Sequence, residues 1–300
     1  MSLRIRLACV GFASLVLSLS GLAAQDHNAP MELRHNLPFV QVMVNGRGPF
    51  TFSIDTGTGG QALVTPDLIQ QLGLPVTGEE EVGDPSGRNS HKVPKVRIDS
   101  LKVAGVEFKS VEAIQHQPSP REGQCDGILG FVLFRDYLFT LDYPGKQLTL
   151  ARGSLKPDGE NTVIPFTMPD NVPVIELSVG AQKVEADVDS RGPGLSIPEK
   201  SAQELKFVSD PMVIGRGRTV SNDFEIKGAQ LAGNIKVGGY TFPQPFVAIN
   251  PLFPVGNFGA IALQHFAVTF DQKNKLLRLV SSEKSIAIPA PQPRAAMQAN

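Results

Sequence analysis

"TFSIDTGTGGQALVTP", Thr51 to Pro66, places an acid at the end of an alternating apolar run and follows it at once with Thr-Gly. Strict alternation marks a strand with one buried face, so Asp55 sits where a stiff element meets a turn. A turn acid in solvent would need no counterpart. If Asp55 is instead half of a catalytic carboxylate pair, a second acid must come from elsewhere in the chain.

The partner emerges from an internal repeat. "VQVMVNGRGPFTFSID", ending at Asp55, matches "VIELSVGAQKVEADVD", ending at Asp189, at an offset of 134 residues. Phe50, Phe52 and Ile54 line one face of the first run, and Val184, Ala186 and Val188 line the same face of the second. "SLKVAGVEF" from Ser100 lies over "NIKVGGYTF" from Asn234 at the same offset, each a strand, a Gly turn and a strand. "GILGFVLFRDYLFTLD", Gly127 to Asp142, aligns without a gap on "GNFGAIALQHFAVTFD", Gly256 to Asp271, at an offset of 129. The chain therefore reads as two copies of one β unit joined near Ala151 to Val163. After each acid comes a helix signal: Thr65 as N-cap, Pro66 at the first helical position and Gly73 as stop in the first copy, Pro198 and Glu199 in the second.

Composition agrees with a mostly β protein: 29 Gly, 24 Pro, no Trp and little helical periodicity. The first 24 residues have the order of a secretory signal, with Arg4 and Arg6, an apolar run short for a membrane span, then small residues. Its removal leaves 26 basic residues against 29 acids, a formal charge of -3, which points to neither nucleic acid nor an anionic surface. A periplasmic or secreted chain without stable membrane insertion is expected. Cys125 is then the single cysteine, so no internal disulfide can form and a packed core must hold the fold. The expected division is a signal at 1–24, lobes at 31–152 and 163–282, and a disordered tail at 283–300 rich in Pro, Ala and Gln.

Two lobes that each offer an acid at a strand end can bring Asp55 and Asp189 together. Such carboxylates share one proton, the ionised member activating water and the protonated member donating to the developing oxyanion. Thr56 and Ser190 suit an orienting role, and Gly57 lets a backbone N–H approach closely. Asp187, on the same strand face as Asp189, is a fallback second acid. Asp142 and Asp271 precede hairpin turns and read as structural. His27, His35, His91, His116 and His265 lack metal-ligand spacing, and "GTGG" lacks the Lys-Ser/Thr of a phosphate loop, so no metal or cofactor is expected.

Asp55-Thr56-Gly57, Gly127-Ile128-Leu129-Gly130 and "YLFTLDYPGKQLTL" resemble the pepsin/retropepsin-like aspartic peptidase family in its bacterial form, over about Leu37 to Val280. The resemblance implies an all-β fold of two small β-barrel lobes with a substrate cleft between them and peptide or unfolded protein as substrate, while the internal repeat, which gives each lobe a partner in the same chain, points to a monomer. It also implies that Asp55 is one catalytic acid, and that Gly130 and Gly259 occupy the inner loop behind each acid. The second lobe departs from the pattern: it reads Asp189-Ser190-Arg191-Gly192, with a cation where the family places Gly. Turned inward, Arg191 would favour ionised carboxylates, and its side chain would obstruct close backbone approach. Two further readings stay open, a peptide-binding cleft that has lost catalysis and a pairing of first lobes from two chains. A flap is expected in "VGDPSGRNSHKV", with Gly83 to Gly87 as a glycine-rich tip.

Overall fold

The structure, a computed structural model, describes residues 26–83, 90–117, 125–159, 161–192, 194–218 and 223–290. The signal expected at 1–24 lies outside the described residues, as does most of the expected flap tip, and no described helix is long and apolar enough to cross a membrane.

The fold is all-β, with two duplicated lobes. An eight-stranded sheet belongs to the first half, a nine-stranded sheet to the second, and a six-stranded sheet draws strands from both. Each lobe has the same ladder at its centre. Arg47–Asp55 runs parallel to Gly127–Gly130, which pairs antiparallel with Ala62–Val64, itself parallel to Val106–Gln115. Gln182–Asp189, Gly256–Gly259, Leu195–Pro198 and Phe246–Asn250 repeat that arrangement in the second lobe. The expected apolar faces are buried: Phe50, Phe52 and Ile54 in one lobe, Val184, Ala186 and Val188 in the other. Each large member, fully buried, contributes about 1.5–3 kcal/mol.

Local signals act as the sequence dictates. Thr65 Oγ1 accepts from the Leu68 N–H and opens the helix Pro66–Leu72, and Gly73 closes it at φ 62°. The hairpin His91–Val103 to Val106–Gln115 turns through Ala104 and Gly105, both at positive φ. Val76–Val82 pairs with the start of the same long strand, Val82 opposite His91, so the two arms that carry the expected flap are formed. In the second lobe Met212–Arg218 and Asp223–Gln230 form the corresponding outer hairpin.

The six-stranded sheet carries the approximate twofold axis. Leu138–Asp142 pairs antiparallel with its own counterpart, Ala267–Asp271, and Thr140 faces Thr269 with the hydroxyls 2.9 Å apart. Beneath it Phe139 stacks on Phe270 at 5.6 Å between centroids and Phe131 meets Phe270 edge-on at 5.1 Å. Each such aromatic pair adds about 0.5–1.5 kcal/mol beyond area burial and here ties one lobe to the other. Asp142 and Asp271, expected to be structural, accept the Gly145 and Asn274 N–H groups of the turns that follow them.

Ahead of the bound expected at 31, His27–Pro30 forms an edge strand on Gln147–Ala151. Of the tail expected from 283, residues 283–290 are described, and there Ile286 and Ile288 are 0% and 4% exposed and the Phe246 N–H donates to the Ile288 carbonyl. Pro and Ala dominate the composition there and hide two alternating isoleucines that join the hydrophobic core, with backbone bonds to Thr241 and Phe246.

Candidate active site

The parallel ladders set Asp55 opposite Gly130 and Asp189 opposite Gly259. A Cβ on Gly130 would strike the Gly60 carbonyl, and one on Gly259 would lie 2.6 Å from the Gly194 carbonyl oxygen. Each inner glycine thus lets its strand pack directly under the turn that follows the acid.

The two turns grip each other. The Thr56 N–H donates to Ser190 Oγ at 3.0 Å and the Ser190 N–H to Thr56 Oγ1 at 2.9 Å. Thr56 Oγ1 in turn donates to the Val188 carbonyl at 2.6 Å, and Ser190 Oγ to the Ile54 carbonyl at 2.8 Å. Both hydroxyl residues are fully buried, so each bond is made where water cannot replace it. With strand ends fixed this way, Asp55 and Asp189 meet across the axis. A Cβ on Gly57 would lie 2.8 Å from Asp189 Cγ, which leaves that position to glycine alone.

Asp55 Oδ1 accepts the Gly57 N–H at 2.8 Å and Oδ2 accepts from Thr58 Oγ1 at 2.9 Å. Burial, and next the charge of Asp189, push Asp55 up to about 7, against the pull of Thr58, Arg191 and the Gly57 N–H. Asp189 is ringed by N–H donors: Arg191 at 2.9 Å and Gly192 at 2.7 Å on Oδ1, and Asn257 Nδ2 at 2.9 Å on Oδ2. Asp187 is raised to about 6 by burial and by Asp189. Tyr143, buried with no hydrogen-bond partner for its hydroxyl, is pushed above its ordinary range by burial and by both acids. Among the described residues no group of three or more His, Cys, Asp or Glu is placed to hold a metal ion.

Arg191 turns inward, as the sequence made conceivable, but toward the other lobe's acid. Its Nε lies 3.9 Å from Asp55 Oδ2 and its side chain is 8% exposed. The obstruction expected from a side chain at 191 does not extend to the backbone, whose N–H still reaches Asp189 Oδ1 as Gly57 reaches Asp55. Thr58 and Asn257 were not legible as site residues from the acids alone. Thr58 follows Asp55 by three residues, and Asn257 stands opposite Ile128 in the gap-free repeat, an amide where the other copy is apolar. That mismatch was the available signal.

The family model described as "Aspartyl protease" matches residues 40–133, about a third of the chain, a span that holds Asp55, Thr56, Gly57 and Gly130. Among solved structures, a retropepsin-like aspartic protease from Rickettsia conorii is similar at 19% identity, over 43% of this chain and 92% of that one, with a TM-score of 0.34. No curated protein matches the chain.

Proposed function

We propose that the chain is an aspartic-type endopeptidase that hydrolyses peptide bonds with Asp55 and Asp189 as a pair within one polypeptide. The observation that carries the reading is the reciprocal Thr56–Ser190 grip, which ties together two strand ends that each finish on an acid. The aspartyl protease match around Asp55 supports aspartic peptidase activity in general. Below pH about 7 Asp55 holds a proton and acts as donor to the carbonyl oxygen of the scissile bond. Asp189 takes a proton from the attacking water, which adds to the carbonyl carbon. On collapse of the tetrahedral species the C–N bond breaks, Asp189 passes the proton it took from water to the departing amine, and the hydroxyl proton returns to Asp55 as the carbonyl re-forms. The chemistry needs no metal and no covalent intermediate.

The test is cleavage of an unfolded protein in mildly acidic buffer. Asp55→Asn and Asp189→Asn should each lower it by about a thousandfold, the range of one lost acid or base. Unchanged cleavage in either variant would remove the proposal. The Arg191 contact to Asp55 favours a second reading, a cleft that binds extended peptides without cutting them. That reading requires that the natural chain bind but not cleave, and that Arg191→Gly gain turnover. We further propose, from the leader-like order around Arg4 and Arg6, that the protein acts after export; amino-terminal sequencing of the exported form checks it.

A further inference from the structure

The two lobes hold their acids' Oδ2 atoms by different chemistry. In the first, Thr58 Oγ1 donates to Asp55 Oδ2. Its counterpart at the 134-residue offset is Gly192, which has no side chain to offer. The donor comes instead from the neighbouring strand, where Asn257 Nδ2 reaches Asp189 Oδ2 at 2.9 Å. The counterpart of Asn257 is Ile128, buried and apolar. Packing makes the exchange exclusive, since a Cβ on Gly192 would collide with the Asn257 amide and lie 2.5 Å from Asp189 Oδ2.

We propose that Asn257 is a positioning residue that fixes Asp189 as the proton-accepting member of the pair and leaves the shared proton to Asp55. A hydroxyl both donates and accepts, so Thr58 can serve a carboxylate or turn and accept from a protonated Asp55. An amide nitrogen only donates. A proton on Asp189 Oδ2 would face that N–H with no acceptor before it. Turning the amide over would let Oδ1 accept from a protonated Oδ2 only by carrying the NH2 group into the buried place where Oδ1 now has no protein partner, which would orphan its donors. The Asn257 Oδ1 is itself buried with no protein hydrogen-bond partner, so its own packing does not explain why an amide stands where the other lobe has isoleucine. Among the described residues, the charged or titratable groups that act beside Asp189 are Asp55, Asp187, Tyr143 and Arg191, two positions along the chain. The division of labour rests on the peptidase reading for its catalytic meaning, but the order of protonation does not.

The experiment follows the Asp55 and Asp189 side-chain carboxyl carbons by NMR through a pH titration of the whole protein without substrate, with Asp55→Asn and Asp189→Asn to assign the two signals. The upper titration step should appear chiefly on Asp55 in the natural protein. In Asn257→Leu, and in Asn257→Asp, which keeps the shape if the leucine variant fails to fold, that step should spread to Asp189. The Asp189 midpoint should rise by about one pH unit, tenfold in proton affinity. An upper step carried by Asp189 in the natural protein, or one divided identically in the variants, overturns the proposal. Because no turnover is read, a protein that cleaves nothing would refute the peptidase reading and still decide this one. If it does cleave, the acidic limb of kcat/KM should move up with the Asp189 midpoint in the same variants.

Discussion

Arg191 puts a cation beside Asp55, yet Asp55 still rises to about 7, because burial and the facing Asp189 outweigh the attraction. Removing the cation removes an influence that lowers this value. Arg191→Met should therefore let Asp55 keep its proton to higher pH, and the alkaline limb of kcat/KM should move up; a limb that stays or falls would contradict the geometry. The same group links stability to pH. An acid raised from about 3.9 in the unfolded chain is protonated in the native state and ionised in the unfolded one between that value and about 7. Its stabilising contribution is thus complete below about pH 4 and is lost as pH rises to 7. The Tm should fall between pH 5 and pH 8, and Asp55→Asn should shrink that fall.

At the scale of the elements, the two acid-bearing strands depend on a pair of turns whose hydroxyls exchange four bonds. Thr56→Val would leave the buried Ser190 N–H and the Val188 carbonyl without partners, at about 1–3 kcal/mol for each orphaned group. Thermal unfolding should register that loss, while Thr56→Ser should recover most of it. Residues 283–290 behave as an element too. Ile286 is fully buried, so Ile286→Ala should cost about 2–5 kcal/mol, as a core position does and a solvated tail would not. Alternation over so short a stretch is too brief to stand out against its prolines, which is why composition alone read it as disordered.

For the whole molecule, the sheet shared by both halves makes the lobes one body across Thr140 and Thr269. Joining them as Thr140→Cys with Thr269→Cys should raise the Tm under oxidising conditions through a stability gain of roughly 2–4 kcal/mol, that of a typical disulfide, and reduction should reverse it. The duplicated β architecture, the two strands that end on acids, the helix after Thr65 and the Gly turns were written in the sequence, because alternation, caps and a fixed offset are local or self-referential patterns that need no partner to be recognised. What only the tertiary structure decided was which groups face each other: that Arg191 reaches across to Asp55, that Asn257 replaces the hydroxyl missing at Gly192, and that Tyr143 is buried within range of both charges. Those contacts join residues tens to more than a hundred positions apart, and their sign and strength depend on distance and on exclusion of water, which a linear pattern does not carry.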